Sequence, residues 1–186
     1  MGGPGSWDAA TVWDAVAALP FLAWRGSVWR IHRHKYVATD PAGSLIVSGR
    51  YNQGADAFPL DEQWAALYTS TAADVALAEA WRYIDPDLID AVKGMRRTEI
   101  AVDLASVLDC RDVAALGLTE DALLNDRDYD VGHALGRAVV ERGAEAMLVL
   151  SATRLGDNLI VFTANLRPAA RLDIARYQPL AHLRRE

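Results

Sequence analysis

Cysteine is nearly absent from this chain. Cys110 is the only one among 186 residues, so no disulfide forms within the chain and a reducing compartment is expected. An excess of positive charge is also missing, the formal net charge being -6. Nucleic-acid binding needs clustered Lys and Arg against phosphates, so no direct nucleic-acid partner is expected. No stretch approaches the roughly 18 apolar residues that cross a bilayer, so no membrane partner is expected. Met1 to Ser6 holds no basic region followed by an apolar one, so it does not read as a secretory leader. These absences together predict a cytoplasmic protein.

Several chemical signatures are missing too. No Walker lysine follows a glycine loop, and no Gly-x-Gly-x-x-Gly occurs. No Gly-x-Ser-x-Gly elbow surrounds Ser151, which argues against a hydrolase nucleophile. His32 and His34 share a strand face without a third ligand, so no metal is expected there. Asp126, Asp128 and Asp130 have the spacing that opens a calcium loop. Val131 then stands where glycine is required, and Arg137 where glutamate is, so the loop fails.

What is present fits one α+β domain with an ordinary core, hydrophobic residues making up 52% and charged residues 24%. Ser6 is placed to cap a helix running to about Leu19, with Trp13, Val16 and Ala17 on its apolar side and Pro20 ending it. Phe21 to Gly26 reads as a link. Ser27 to Tyr36 alternates with period two, as a strand does. Asp40 to Gly43 reads as a turn, Leu45 to Val47 as a short apolar run, and Tyr51 to Glu62 as a long loop. Trp64 to Thr69 reads as a strand, with Ser70 or Thr71 capping a helix to Trp81. Asp85-Pro86 stops it, and a short helix is expected over 87–92. Thr98 to Leu104 is a strand candidate. Asp109 to Asp130 is a loop with a short helix near Glu120 to Leu124. Asp130 is placed to cap a helix through Val140, ended by Gly143. Ala146 to Leu150, Leu159 to Thr163 and Arg171 to Leu180 are further strands, the last an edge. The strands are too irregularly spaced for a regular βαβ array.

Five features are candidates for chemistry. Arg30 shares a strand face with Val28; buried, it needs an anion, supplied by an internal carboxylate or by a ligand. Arg50 follows Gly49 at a turn, where glycine lets backbone approach a ligand and arginine gives bidentate phosphate contacts. Tyr51 and Tyr68 fit either a ring-stacking role or the core. On a helical wheel Ala72, Ala73, Ala76, Ala80, Tyr83 and Ile84 share one face, with Asp74 and Arg82 opposite. Glu79 sits at that face's edge, either as a rim carboxylate or as one projecting into a cleft to stabilise an oxocarbenium-like centre. Ser151 ends an apolar strand, as a turn former does.

Taken in order, Trp29-Arg30, Gly49-Arg50-Tyr51-Asn52, Leu67-Tyr68-Thr69-Ser70, Ala76-Leu77-Ala78-Glu79 and Leu150-Ser151-Ala152 resemble the RES domain family, named for its Arg, Glu and Ser residues. Gly156-Asp157-Asn158-Leu159 looks like the family's stretch after the serine. The resemblance covers roughly Val28 to Leu166. It divides the chain into an N-terminal helix and linker over residues 1–26 and a RES-like catalytic domain over 27–186.

The resemblance implies a mixed sheet with flanking helices, like that of ADP-ribosyltransferases. It implies a toxin of a bacterial toxin-antitoxin pair that consumes NAD by phosphorolysis, with inorganic phosphate as co-substrate, or by hydrolysis. It implies an Xre-like antitoxin as partner, and it leaves a homo-oligomer open. Arg30 and Arg50 would hold the pyrophosphate or the incoming phosphate. Tyr68, with Tyr51, would pack on the nicotinamide or its ribose. Glu79 would stabilise positive charge at the anomeric carbon, Ser151 would position ribose or phosphate, and Asn158 would assist from behind. Transfer of ADP-ribose to a protein and a catalytically silent binding module are the alternatives.

Overall fold

The computed structural model describes residues 7–84 and 92–180. The element order is α1 (Ala9–Ala18), β1 (Leu22–Arg33), α2 (Ala42–Ile46), β2 (Leu67–Ser70), α3 (Ala73–Trp81), β3 (Met95–Asp109), α4 (Glu120–Leu123), α5 (Asp130–Glu141), β4 (Ala146–Leu150), β5 (Asp157–Val161) and β6 (Arg171–Pro179). The strands form one mixed sheet in the order β1-β2-β5-β4-β3-β6, in which β3 and β4 run parallel and the other pairs antiparallel. β1 also pairs with β3 along nearly its whole length. The first five strands of that order therefore close on themselves, and β6 stands outside as the expected edge.

Period-two alternation sorts the side chains into two cores. Ala146 and Leu148 of β4, with Leu159 and Val161 of β5, join Val28, Ile100 and Leu104 in one cluster. Met147, Val149 and Ile160 face the other way, against Val12, Val16, Leu135 and Val139 of the helices. Full burial of each such Val, Leu, Ile or Met side chain stabilises by roughly 2 kcal/mol.

Several boundaries differ from the sequence reading. The cap of α1 is Asp8, whose carboxylate accepts from the Thr11 N–H, and Val12 with Val16 forms the buried face while Ala17 is exposed. The supposed link from Phe21 to Gly26 is mostly strand, because Leu22 to Gly26 find partners on β3 from Val107 to Val102. The Asp40–Gly43 turn and the run after it merge into the single turn α2. β2 begins at Leu67 instead of Trp64, and β5 runs from Asp157 to Val161 instead of Leu159 to Thr163.

α3 has Ala72 at its cap position and no side-chain cap. Ser70 and Thr71 bond β5 instead, at the Asn158 side chain and the Asp157 carbonyl. Asp130 is the first residue of α5, not its cap, which is Tyr129. β3 continues past Leu104 to Asp109 because Val107, Leu108 and Asp109 pair with Ala146, Met147 and Leu148 of β4; at the irregularity between, buried Glu145 accepts from the Ala105 and Ser106 N–H groups at 2.7 and 2.8 Å. The Asp85-Pro86 stop and most of the expected helix over 87–92 lie outside the described residues. Among the described residues, no helix is long and apolar enough to cross a membrane.

The site is placed by a close approach of α5. A Cβ on Gly132 would stand 2.2 Å from the Arg50 carbonyl oxygen, and one on Gly136 would stand 2.5 Å from that of Tyr51. Two glycines four apart share one helix face, so α5 seats directly on the Arg50–Tyr51 backbone.

Candidate active site

A cavity of about 440 Å³ opens between α3, β1 and the turn before β2. Arg30 and Trp29 line it from β1, and Arg50, Tyr51 and Tyr68 from the turn and β2. Ala76, Glu79, Ala80 and Arg82 come from α3, Asn158 from β5 and Tyr129 from the start of α5. Of the seven residues singled out by sequence, Ser151 alone does not face it.

The turn is built by Asn52, which is fully buried. Its Oδ1 accepts from the Gly49 N–H at 3.1 Å and from the Tyr68 hydroxyl at 2.8 Å. A Cβ on Gly49 would meet the Tyr68 hydroxyl at 2.6 Å, so no larger residue fits there. The Tyr68 hydroxyl also accepts from the Tyr51 N–H at 2.8 Å, leaving its ring as the part that faces the cavity. The Tyr51 and Tyr68 rings stack with centroids 6.4 Å apart. Burial raises both phenol pKa values, so both stay protonated. The buried Tyr51 hydroxyl has no hydrogen-bond partner among the described residues.

Glu79 is held from four directions. Its Oε1 accepts from the Ser151 hydroxyl at 2.6 Å, the Ala152 N–H at 3.0 Å and the Asn158 amide at 3.0 Å. Its Oε2 pairs with Arg82 Nη1 at 3.0 Å. Burial alone would raise the Glu79 pKa; hydrogen bonds from Ser151, Asn158 and Arg82 outweigh it and hold the carboxyl below its ordinary value. Asn158 is oriented in turn, its Oδ1 accepting from the Ser70 hydroxyl at 2.7 Å. Ser151 is fully buried behind the carboxylate and acts on the cavity through Glu79.

The two expected anion-binding arginines differ. Arg30 gives Nη1 to the carbonyls of Ala38 and Asp40 at 2.7 and 2.9 Å. No carboxylate among the described residues lies within ion-pair distance of it, although the charge of Asp40 acts on it favourably from further away. Arg50 gives Nη1 to the carbonyls of Leu123 and Asn125 at 2.7 and 2.6 Å, and Nη2 to Asp126 at 2.8 Å. Its guanidinium braces the loop between α4 and α5.

Arg82 and Asp126 were missed by the sequence reading. The wheel puts Arg82 opposite the apolar face, yet that helix edge turns into the cavity. Its spacing of three from Glu79 was the available signal, since i and i+3 side chains are neighbours on a helix. Asp126 belongs to the failed calcium spacing and pairs instead with Arg50 and Arg82. No cluster of three or more metal-ligating side chains occurs among the described residues.

Comparison with known proteins bears on the fold and the family. A chain of the crystal structure of the M. tuberculosis MbcT-MbcA toxin-antitoxin complex has a similar fold, with a TM-score of 0.75 over 93% of this chain and 94% of that one. The two are 18% identical, so the likeness is one of fold. No curated protein matches the chain. The model of the RES domain matches residues 27–182. The chain belongs to the RES domain family.

Proposed function

We propose that this cavity binds NAD and cleaves its nicotinamide–ribose bond. The observation that carries the reading is Glu79: an ionised carboxylate at the wall of a nucleotide-capable cavity, fixed by the Ser151, Ala152 and Asn158 donors. Fixed charge aimed at a developing cation lowers the barrier without reorganising during the reaction. Volume supports the reading as well, since small-molecule sites run from about 300 to 1,000 Å³.

In the proposed reaction the bond between the ribose C1 and the pyridinium nitrogen breaks, and its electron pair goes to nitrogen. Nicotinamide leaves neutral, so it needs no general acid. The positive charge left on the ribose faces Glu79. An oxygen of water or of inorganic phosphate then bonds to C1, giving ADP-ribose after loss of a proton, or ADP-ribose-1″-phosphate. Arg30 keeps Nη2 and Nε for the anionic part of the substrate, and the Tyr68 ring packs on the nicotinamide side.

We further propose that the chain is a toxin held inactive by a protein antitoxin of the Xre-like kind. The family and the toxin-antitoxin complex sharing its fold support this. So does an apolar rim: Ile46 and Val47, just before the cavity residues Ser48 and Gly49, are 67% and 58% exposed. Exposed apolar patches near a site favour a protein partner.

The test is nicotinamide release from NAD by the protein and by Glu79→Gln, which keeps shape and removes charge. A loss of about a thousandfold is expected, from a charge contact of about 4 kcal/mol at an effective dielectric of 20. Near-equal rates would overturn the assignment.

A further inference from the structure

Arg50 and Arg82 both line the cavity, and both spend a guanidinium nitrogen on one oxygen of Asp126. Arg50 Nη2 lies 2.8 Å from Asp126 Oδ1, and Arg82 Nη2 reaches the same atom. The two arginines are 9% and 21% exposed at their side chains, and Asp126 is 57% exposed. A solvent-facing carboxylate thus caps a pair of largely buried cations. An oxyanion bridging two guanidiniums is also how arginines hold phosphate.

The surrounding bonds let Asp126 leave. Arg50 Nη1 keeps the loop anchored through the carbonyls of Leu123 and Asn125 without it. Arg82 Nη1 stays on Glu79 Oε2. Turning Asp126 outward exposes little new surface on a side chain already mostly in solvent. It frees one Nη2 on each arginine, and buried guanidiniums require an anion in exchange.

We propose that Arg50 Nη2 and Arg82 Nη2 form a phosphate subsite of the cavity, with Asp126 as its resident competitor, displaced when a phosphate group binds. The proposal deepens the nucleotide reading of this cavity and rests on it. It also restores to Arg50 an anion-binding part that its resting contacts withhold. The phosphate would lie one guanidinium away from Glu79, next to the reacting end of the site. Its source is either inorganic phosphate or the pyrophosphate of the nucleotide.

The test is calorimetric titration of the full chain, and of Asp126→Ala, with inorganic phosphate and separately with ADP-ribose. Asp126→Asn serves as a second variant that keeps the side-chain shape. Removing one like charge at close range should tighten binding by about tenfold. Tightening for phosphate alone identifies a co-substrate site, and tightening for ADP-ribose alone identifies a pyrophosphate site; either supports the proposal. Unchanged or weaker binding of both ligands by folded Asp126→Asn overturns it, because a bracing role for Asp126 predicts loss and a competing role predicts gain. Neither titration needs turnover. Tightened phosphate binding in a protein that leaves NAD intact would reject the cleavage reading and keep the subsite.

Discussion

Ser151→Ala separates a residue that touches substrate from one that acts through Glu79. The Ser151 hydroxyl donates to Glu79 Oε1 at 2.6 Å and is fully buried, so water cannot take its place. The Ala152 N–H and the Asn158 amide remain on the same oxygen at 3.0 Å, and Arg82 remains on Oε2. Glu79 therefore loses one of four supports and keeps its location. A hydrogen bond to a charged group contributes about 1.5–3 kcal/mol. If that support is felt fully in the transition state, kcat falls by about 10- to 150-fold. KM should hold, because Ser151 does not line the cavity. The pH profile moves as well: Ser151 helps hold the Glu79 pKa down, so its loss raises that pKa and shifts the acid limb of kcat to higher pH. Steady-state kinetics of NAD cleavage across pH read all three quantities. A raised KM with unchanged kcat and an unmoved acid limb would refute the reasoning and put Ser151 on the substrate.

Two further predictions concern the frame. Gly132→Ala puts a methyl 2.2 Å from the Arg50 carbonyl oxygen, where backbone cannot yield cheaply; a loss of about 1–3 kcal/mol is expected, read as a lower urea midpoint, and an unchanged midpoint would show that α5 rides free of the turn. Glu145 is buried with no ion-paired cation among the described residues, and although burial works to raise its pKa, N–H donors from Arg167, Ser106 and Ala105 hold it below the ordinary value. Its folded pKa lies below the unfolded one, so its stabilisation is full above the unfolded carboxylate range and fades as pH falls through the folded pKa. Glu145→Gln should cost about 2 kcal/mol or more near neutrality, with the gap to the parent closing in acid; a gap independent of pH would contradict this.

The helices were legible because their end signals are local: α1, α3 and α5 lie close to where the cap and stop residues put them, although Val12 with Val16 and Val75 with Ala76 are the buried faces of α1 and α3. The limits of β1 and β3 were not, because distant partners set them. Leu22 becomes strand by meeting Val107, and β3 runs past Leu104 to pair with β4 from Ala146 to Leu148. In the site, Arg30, Arg50, Glu79 and Asn158 were legible as an ordered pattern and do converge on one cavity. Their partners were not. Asp126 is 44 residues from Arg82 and 76 from Arg50 in sequence, and no local spacing announces a bridge of that span. The burial of Ser151 likewise follows from packing around the β4–β5 turn, which the chain order alone does not reveal.

The most direct measurement is product analysis of NAD incubated with the purified protein, with and without inorganic phosphate. The account predicts nicotinamide in a one-to-one ratio with ADP-ribose, or with ADP-ribose-1″-phosphate where phosphate is the acceptor. NAD left intact under both conditions would contradict it.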